Sequence, residues 1–277
     1  MSEIWRKVRN WCGRPDHEKR KEEFMKLHKL GKRPPKIDKR TLKFAKYVKL
    51  PLPPVPPEVS WVTHVQNWPM YLNDELGDCT IAAAAHAIEQ WLLYAKKYTA
   101  PGVAMPSDAQ VLAAYEAVSG YRPNVPSTDN GCFMLDVLNY WRKTGIGGHK
   151  IWAFVEVNPK NLVEVAQAIM LFGNVYAGVA LPVSVQGEDK WTVTDGGIYA
   201  EAGKPGSWGG HCVMIPAMSP ITLTSITWGE VLKMSHNFFL DYCDEAYTCL
   251  SQDWIDKTGI SPGGFDFATL QADIAAL

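Results

Sequence analysis

Paired cysteine motifs are missing from this chain. Its six cysteines are scattered over 277 residues with no CxxC spacing. That excludes a zinc ribbon and a disulfide-rich framework, and a reducing compartment is the simpler expectation. Cys12, Cys132, Cys212, Cys243 and Cys249 read as small hydrophobes or spare thiols. No stretch approaches the ~20 apolar residues needed to span a bilayer, so no membrane span is expected. Residues 1–50 lack the apolar core of a secretory signal, so no signal peptide is expected and the protein is placed in the cytoplasm or in a virion. No internal repeat is visible. Net charge is almost absent at -1, but the balance is split. Residues 1–50 hold 17 Lys and Arg against 6 Asp and Glu, and the remainder carries a net charge of -12. Apolar residues are plentiful, at 47%, and eleven tryptophans support a substantial core.

The charge split suggests a basic arm over residues 1–50, a Pro-rich linker over 51–58 and one body over 59–277. In the arm, a charged helix is expected from Asp16 to Leu30 and another from Lys39 to Val48. The linker, Pro51 to Pro57, reads as extended polyproline. In the body, the Ala-rich run Ile81 to Tyr98 predicts a helix with Ile81, Ala84, Ala85, Ile88 and Leu92 on one stripe. Ser107 with Gln110 forms a capping box for a helix to about Val118. Asp129-Asn130-Gly131 reads as a turn before a helix carrying Met134, Leu135, Leu138 and Trp141, stopped by Gly145. A further helix is expected over Lys160 to Phe172. Strands are expected at Val175 to Leu181, Lys190 to Thr194, His211 to Ala217 and Ile221 to Trp228. Asn237 to Leu250 and Phe265 to Leu277 again look helical. Helices first and strands afterwards predict an α+β fold with two segregated lobes.

Cys79 carries the chemistry. It lies in Asn73-Asp74-Glu75-Leu76-Gly77-Asp78-Cys79-Thr80, directly before the Ala-rich helix. Backbone N–H groups and the positive end of the dipole at a helix N-terminus favour a thiolate, which is the nucleophile. Asp78 has two opposed effects. As an N-cap it would stabilise the helix by ~1 kcal/mol, while its negative charge would oppose the thiolate. Far downstream, Gly209-Gly210-His211 opens an apolar strand, and a histidine exchanges protons near neutral pH. Asn73, six residues before Cys79, could donate its amide to an oxyanion together with the Cys79 N–H. Trp228 follows the last main strand and could shield the site from water. Taken singly, Cys79 reads as a buried structural residue. The order Asn73, Cys79, His211, Trp228 points to nucleophilic acyl transfer. His86 is ~10 Å along the helix from Cys79, too far to be its base, and reads as a packing residue. His149 reads as loop surface, and Trp91 and Trp141 as core.

This constellation resembles the papain-like cysteine peptidase superfamily over roughly residues 60–255. The shared features are the cysteine-capped helix, Gly210-His211 heading a strand and Thr227-Trp228-Gly229. The resemblance implies a two-lobe fold, with the cysteine helix in a helical lobe and the histidine strand in an antiparallel β lobe. Papain-like enzymes carry Gln where Asn73 stands, and Asn where Ile226 stands. Isoleucine cannot orient an imidazole, so Thr227, Ser225 and Asp195 are the candidates for the third catalytic member. Asn-Asp-x-x-Gly-Asp-Cys, with Tyr242-Cys243-Asp244-Glu245-Ala246-Tyr247, also looks like a group of papain-like proteins from bacteriophages and prophages.

The expected function is cysteine hydrolysis of amide bonds in a peptide or peptidoglycan, with no metal or organic cofactor. Cys79 would be the nucleophile, His211 the base and Asn73 an oxyanion donor. The rival expectation is a catalytically degenerate virion or assembly component. In either case the basic arm has three readings: a solvated tail, a nucleic-acid contact, or a dock onto an acidic protein surface.

Overall fold

The computed structural model describes residues 28–47, 54–96, 102–255 and 261–262. The expected helix over 265–277 and most of that over 16–30 lie outside them. A central helix, α1 (Cys79–Tyr94), is followed by α2 (Asp108–Ser119) and α3 (Met134–Lys143). Alanine supplies the helix propensity of α1. Burial runs all round it, from Cys79 to Leu92, rather than along the one stripe expected, so it is a core helix rather than a surface one. Ser107 and Gln110 form the capping box reciprocally at the start of α2. The next helix, α4 (Leu162–Phe172), is capped by Asn161, whose side chain accepts from the Val163 and Glu164 N–H groups. A short α5 spans His236–Tyr242.

The strands are β1 (Val59–Ser60), β2 (Ile151–Glu156), β3 (Val175–Leu181), β4 (Lys190–Trp191), β5 (Gly209–Met218), β6 (Thr222–Thr227), β7 (Glu230–Ser235) and β8 (Cys243–Ser251). They form one sheet in the order β2-β8-β3-β5-β6-β7-β4, with β1 on β5. All pairs are antiparallel except β4 with β7. Three expectations are corrected here. The stretch 237–250 is helical only to Tyr242; from Cys243 it becomes the buried strand between β2 and β3. A strand covered on both faces shows no alternation in sequence. Strands β2 and β7 were not expected, and the strand at Lys190 ends at Trp191.

Two cores lie on opposite faces of the sheet. Alternation along β5 sends Cys212 and Met214 to the core around α1, and Val213 and Ile215 to the core around α4. Polar bonds fix α1 against β3 and the end of α4: Tyr176 donates to the Thr80 carbonyl (2.8 Å), and Gln90 donates to the Gly173 carbonyl (2.8 Å). The stacked pair Trp91 and Trp141 lies in the first core, as expected. His86 is also buried, bonded to the Pro69 carbonyl. His149 is not plain loop surface, because it bridges Asp253 and the Ala104 carbonyl.

Residues 28–47 lie against the body. Lys32 bridges to Cys132 and Lys43 to Glu156, and only Phe44–Tyr47 forms a helical turn of the helix expected from Lys39. Lysines 32, 36 and 43 pair with Asp244 and Glu245, Asp136 and Glu156 respectively. Part of the arm's positive charge is thus neutralised by acids of its own body.

Candidate active site

Cys79 begins α1 and its side chain is buried. Asp78 occupies the N-cap position but makes no side-chain capping bond, contrary to the expected stabilisation. Burial pushes the Asp78 carboxyl well above the carboxylate range. Its charge adds to the upward push on the neighbouring Cys79 thiol, in the direction expected. Burial pushes the Cys79 thiol up to about 12, against opposing backbone hydrogen bonding from Cys212 and Gly31. In this state desolvation outweighs the helix N-terminus.

Asn73 is placed by strained backbone. Tyr71 and Leu72, the two residues before it, sit at φ 54 and 68. Side chains other than glycine adopt this region only where surrounding structure imposes it, often at functional sites. The Asn73 amide donates to the carbonyls of Leu76 (3.1 Å) and Lys29 (3.3 Å).

His211 stands near the start of β5, fully buried. Its Nε2 lies 2.5 Å from Thr227 Oγ1, and Trp228 stacks on the ring with centroids 4.2 Å apart. Trp228 (φ 48) and Gly229 (φ 70) are the two central residues of the β6–β7 hairpin, the pattern of a I′ turn. A tryptophan in that conformation is costly, and here the turn holds its indole over His211. Of the three candidates for the orienting role, Thr227 is the one the structure places on His211. Ser225 donates instead to the Leu232 carbonyl, and Asp195 is exposed on a loop. His211 Nδ1 is buried with no hydrogen-bond partner. Burial, with a smaller effect of His28, lowers the imidazole to about 3. Cys79 and His211 are thus not hydrogen-bonded to each other. Strand β5 reaches the sulfur through Cys212, the residue after the histidine.

Sequence reasoning missed what fills the groove. Residues 28–33 thread between Asn73, Cys132 and Gly210. Lys29 N–H donates to the Asn73 carbonyl (3.0 Å), Lys32 N–H to Gly210 (3.1 Å) and Arg33 N–H to Cys132 (2.9 Å), while Cys132 N–H donates to Gly31 (2.9 Å). The Lys29 carbonyl accepts from both Asn73 and the Trp228 indole (3.1 Å). Bare backbone makes this approach possible. A Cβ on Gly131 would lie 1.8 Å from the Gly31 oxygen, and one on Gly210 would lie 2.2 Å from the Lys32 oxygen. Gly31 between basic residues was the available signal, but nothing local in the sequence links it to Gly77, Gly131 or Gly210.

Among the described residues no group of His, Cys, Asp and Glu side chains is arranged to hold a metal ion, and no helix is long and apolar enough to cross a membrane.

No protein-family model matches this chain, and no curated protein matches it significantly in sequence. Solved structures do match in shape. Xylellain, a cysteine protease from Xylella fastidiosa, superimposes with TM-score 0.60 at 12% identity, covering 81% of this chain and 96% of its own. Digestive procathepsin L 3 of Tenebrio molitor larval midgut gives 0.53 at 13%, covering 83% and 79%. ProCathepsin B S9 from Trypanosoma congolense gives 0.52 at 11%, covering 84% and 89%. These likenesses establish the α+β, two-lobed fold of papain-like cysteine proteases.

Proposed function

We propose that this chain is a cysteine hydrolase of amide bonds, closed in this state by its own residues 28–33. The observation that carries the reading is the Lys29 carbonyl. It is a peptide carbonyl already held by the side-chain amide of Asn73, the donor assigned to the oxyanion. A second support is the imidazole. In the tautomer whose Nε2–H donates to Thr227, the unpartnered Nδ1 is the proton-accepting nitrogen.

With the groove open, Cys79 Sγ attacks the substrate carbonyl carbon and His211 takes the thiol proton. Asn73 Nδ2 and the Cys79 N–H stabilise the tetrahedral oxyanion. His211 returns the proton to the leaving amine as the C–N bond breaks. Water then attacks the thioester carbonyl, the acid leaves, and the thiol is restored. Thr227 positions the ring and Trp228 shields it. Peptides and peptidoglycan cross-links both supply such amides. Xylellain, which shares the fold, is a cysteine protease, in keeping with this reading.

A second reading, a scaffold without turnover that assembles with a virion protein, is favoured by the absence of a Cys79–His211 hydrogen bond and by Ile226 at the expected orienting position. A bacteriophage or prophage source is supported by the sequence resemblance. Contact of residues 1–50 with an acidic partner or nucleic acid is supported by their net charge of +11. The deciding experiment uses a variant with a loosened 28–33 segment, incubated with fluorogenic peptides and purified peptidoglycan. Cleavage that disappears in Cys79→Ala supports the hydrolase. No cleavage, with Cys79 open to alkylation, supports the scaffold.

A further inference from the structure

The Lys32 side chain is 1% exposed, which is unusual for a lysine. Its ammonium lies 3.0 Å from Asp244 Oδ2 and 3.1 Å from Glu245 Oε1, and donates to the Arg33 carbonyl at 3.2 Å. The acids come from the start of β8, and the aliphatic stem passes Gly178 of β3 and Met134 of α3. A Cβ on Gly178 would lie 2.1 Å from Lys32 Cε and 2.8 Å from Met134 Sδ, so glycine there leaves room for the stem. Glu245 is 6% exposed, and its Oε2 accepts from Tyr247 (3.1 Å). Its Oε1 faces the ammonium at 3.1 Å. The carboxylate is oriented from behind and aimed at a cation.

From this we infer that Gly178, Met134, Asp244 and Glu245 form a recognition pocket for a lysine or arginine side chain of a bound peptide, with Lys32 as its intramolecular occupant. The inference rests on the hydrolase reading only for what happens to the peptide afterwards. Three physical points carry it. A buried carboxylate left without a counter-charge is strongly unfavourable, so an emptied pocket selects a cation. The contacts flanking Lys32 are main-chain bonds to Gly210 and Cys132, which any extended peptide can make, so affinity comes from the backbone and selectivity from the pocket. Burial alone would lower the Lys32 pKa, yet the ion pairs raise it, so the site holds the charged form.

The test uses the full chain carrying Lys32→Met, which keeps the stem and removes the charge. Two peptides are added, acetyl-Lys-Leu-Gly-Lys-Arg-amide and its analogue with norleucine at the second lysine. Protection of Cys79 from iodoacetamide reports occupancy, read by peptide mass mapping. The lysine peptide is expected to protect at a concentration at least ~30-fold lower than the norleucine peptide. That ratio should collapse to within ~3-fold when Asp244→Asn and Glu245→Gln are added. Protection by neither peptide, equal protection by both, or a preference unaffected by the two carboxylate substitutions overturns the pocket. Peptide cleavage is scored separately. Lysine-selective protection without cleavage keeps the pocket and removes the hydrolase; cleavage without lysine selectivity does the reverse.

Discussion

Gly31→Ala should open the groove without unfolding the body. A Cβ at Gly31 would sit 1.7 Å from the Gly77 carbonyl oxygen and 2.3 Å from its carbon. Neither atom can give way easily, because Gly77 N–H is itself held by both oxygens of Asp129 at 3.1 Å. Overpacking a tight contact costs about 1–3 kcal/mol, more where backbone is involved. The segment can escape only by giving up backbone bonds at Lys29, Lys32 and Arg33, each worth about 1 kcal/mol net. A penalty of about 3 kcal/mol on the seated state raises the open population on the order of 100-fold. Alkylation of Cys79 by iodoacetamide at pH 7.5, followed by mass mapping, reads that population. Cys243 and Cys249, buried in the sheet, are internal controls. The reasoning fails if Cys79 labels at the wild-type rate. It also fails if all three cysteines accelerate together, because that would report global unfolding.

Thr227→Val removes the Nε2 partner at nearly constant volume. It should cost about 1–3 kcal/mol in chemical denaturation and shift the imidazole tautomer seen by nitrogen NMR, with Thr227→Asn restoring the tautomer. Asn73→Ala in the Gly31→Ala background should lower kcat on the order of 100-fold with a much smaller change in KM, as expected for loss of an oxyanion donor; an unchanged kcat would remove Asn73 from the site. The His211 pKa, depressed to about 3, carries a pH signature. The unfolded imidazole binds a proton below about 6.5 and the folded one does not, so this group's contribution is full above that pH and is lost on acidification. The stability advantage of wild type over His211→Gln should therefore shrink by about 1.4 kcal/mol per pH unit between pH 6 and 4. A pH-independent difference in denaturant midpoints would contradict the burial of a neutral ring.

Elements with an end signal were legible in the sequence. Ser107 and Gln110 announce α2, Gly173 closes α4, and Val175–Leu181 reads as a strand because Gly and Pro bound a β-rich run. Strand β8 was not legible, since Phe238, Phe239 and Tyr242 begin a true helix and the following Cys243–Ser251 is buried without a period. The candidate site was proposed from an order of residue types, which carries no geometry. Thr227 could not be separated from Ser225, because both alternate to the same face of β6 and only the register with β5 decides which hydroxyl meets the imidazole. The role of residues 28–33 was invisible for a similar reason. Their contacts are backbone bonds and backbone approaches, which leave no side-chain pattern to read.

The same segment accounts for a thiol pKa that is raised where its position suggests the opposite. Cys79 stands at a helix N-terminus, where the dipole and free N–H groups favour the anion. Its thiol nevertheless lies near 12, and the largest cause is desolvation. That cause depends on the groove being filled. Leu30 packs against Gly209, Gly31 against Gly77, and Lys32 against Gly178 and Gly210 so closely that a Cβ on any of these body glycines would collide with the segment. Lifting residues 28–33 removes two favourable influences, the Gly31 backbone contact and the Lys32 charge, while readmitting solvent to the sulfur and leaving Cys212 and the helix N-terminus in place. The largest opposing effect is relieved and two smaller favourable ones are lost, so the thiol pKa is expected to fall on opening. The pH dependence of Cys79 alkylation in Gly31→Ala measures this directly. A rate still climbing with no inflection up to pH 10 would show that the burial belongs to the body itself and not to the segment laid across it.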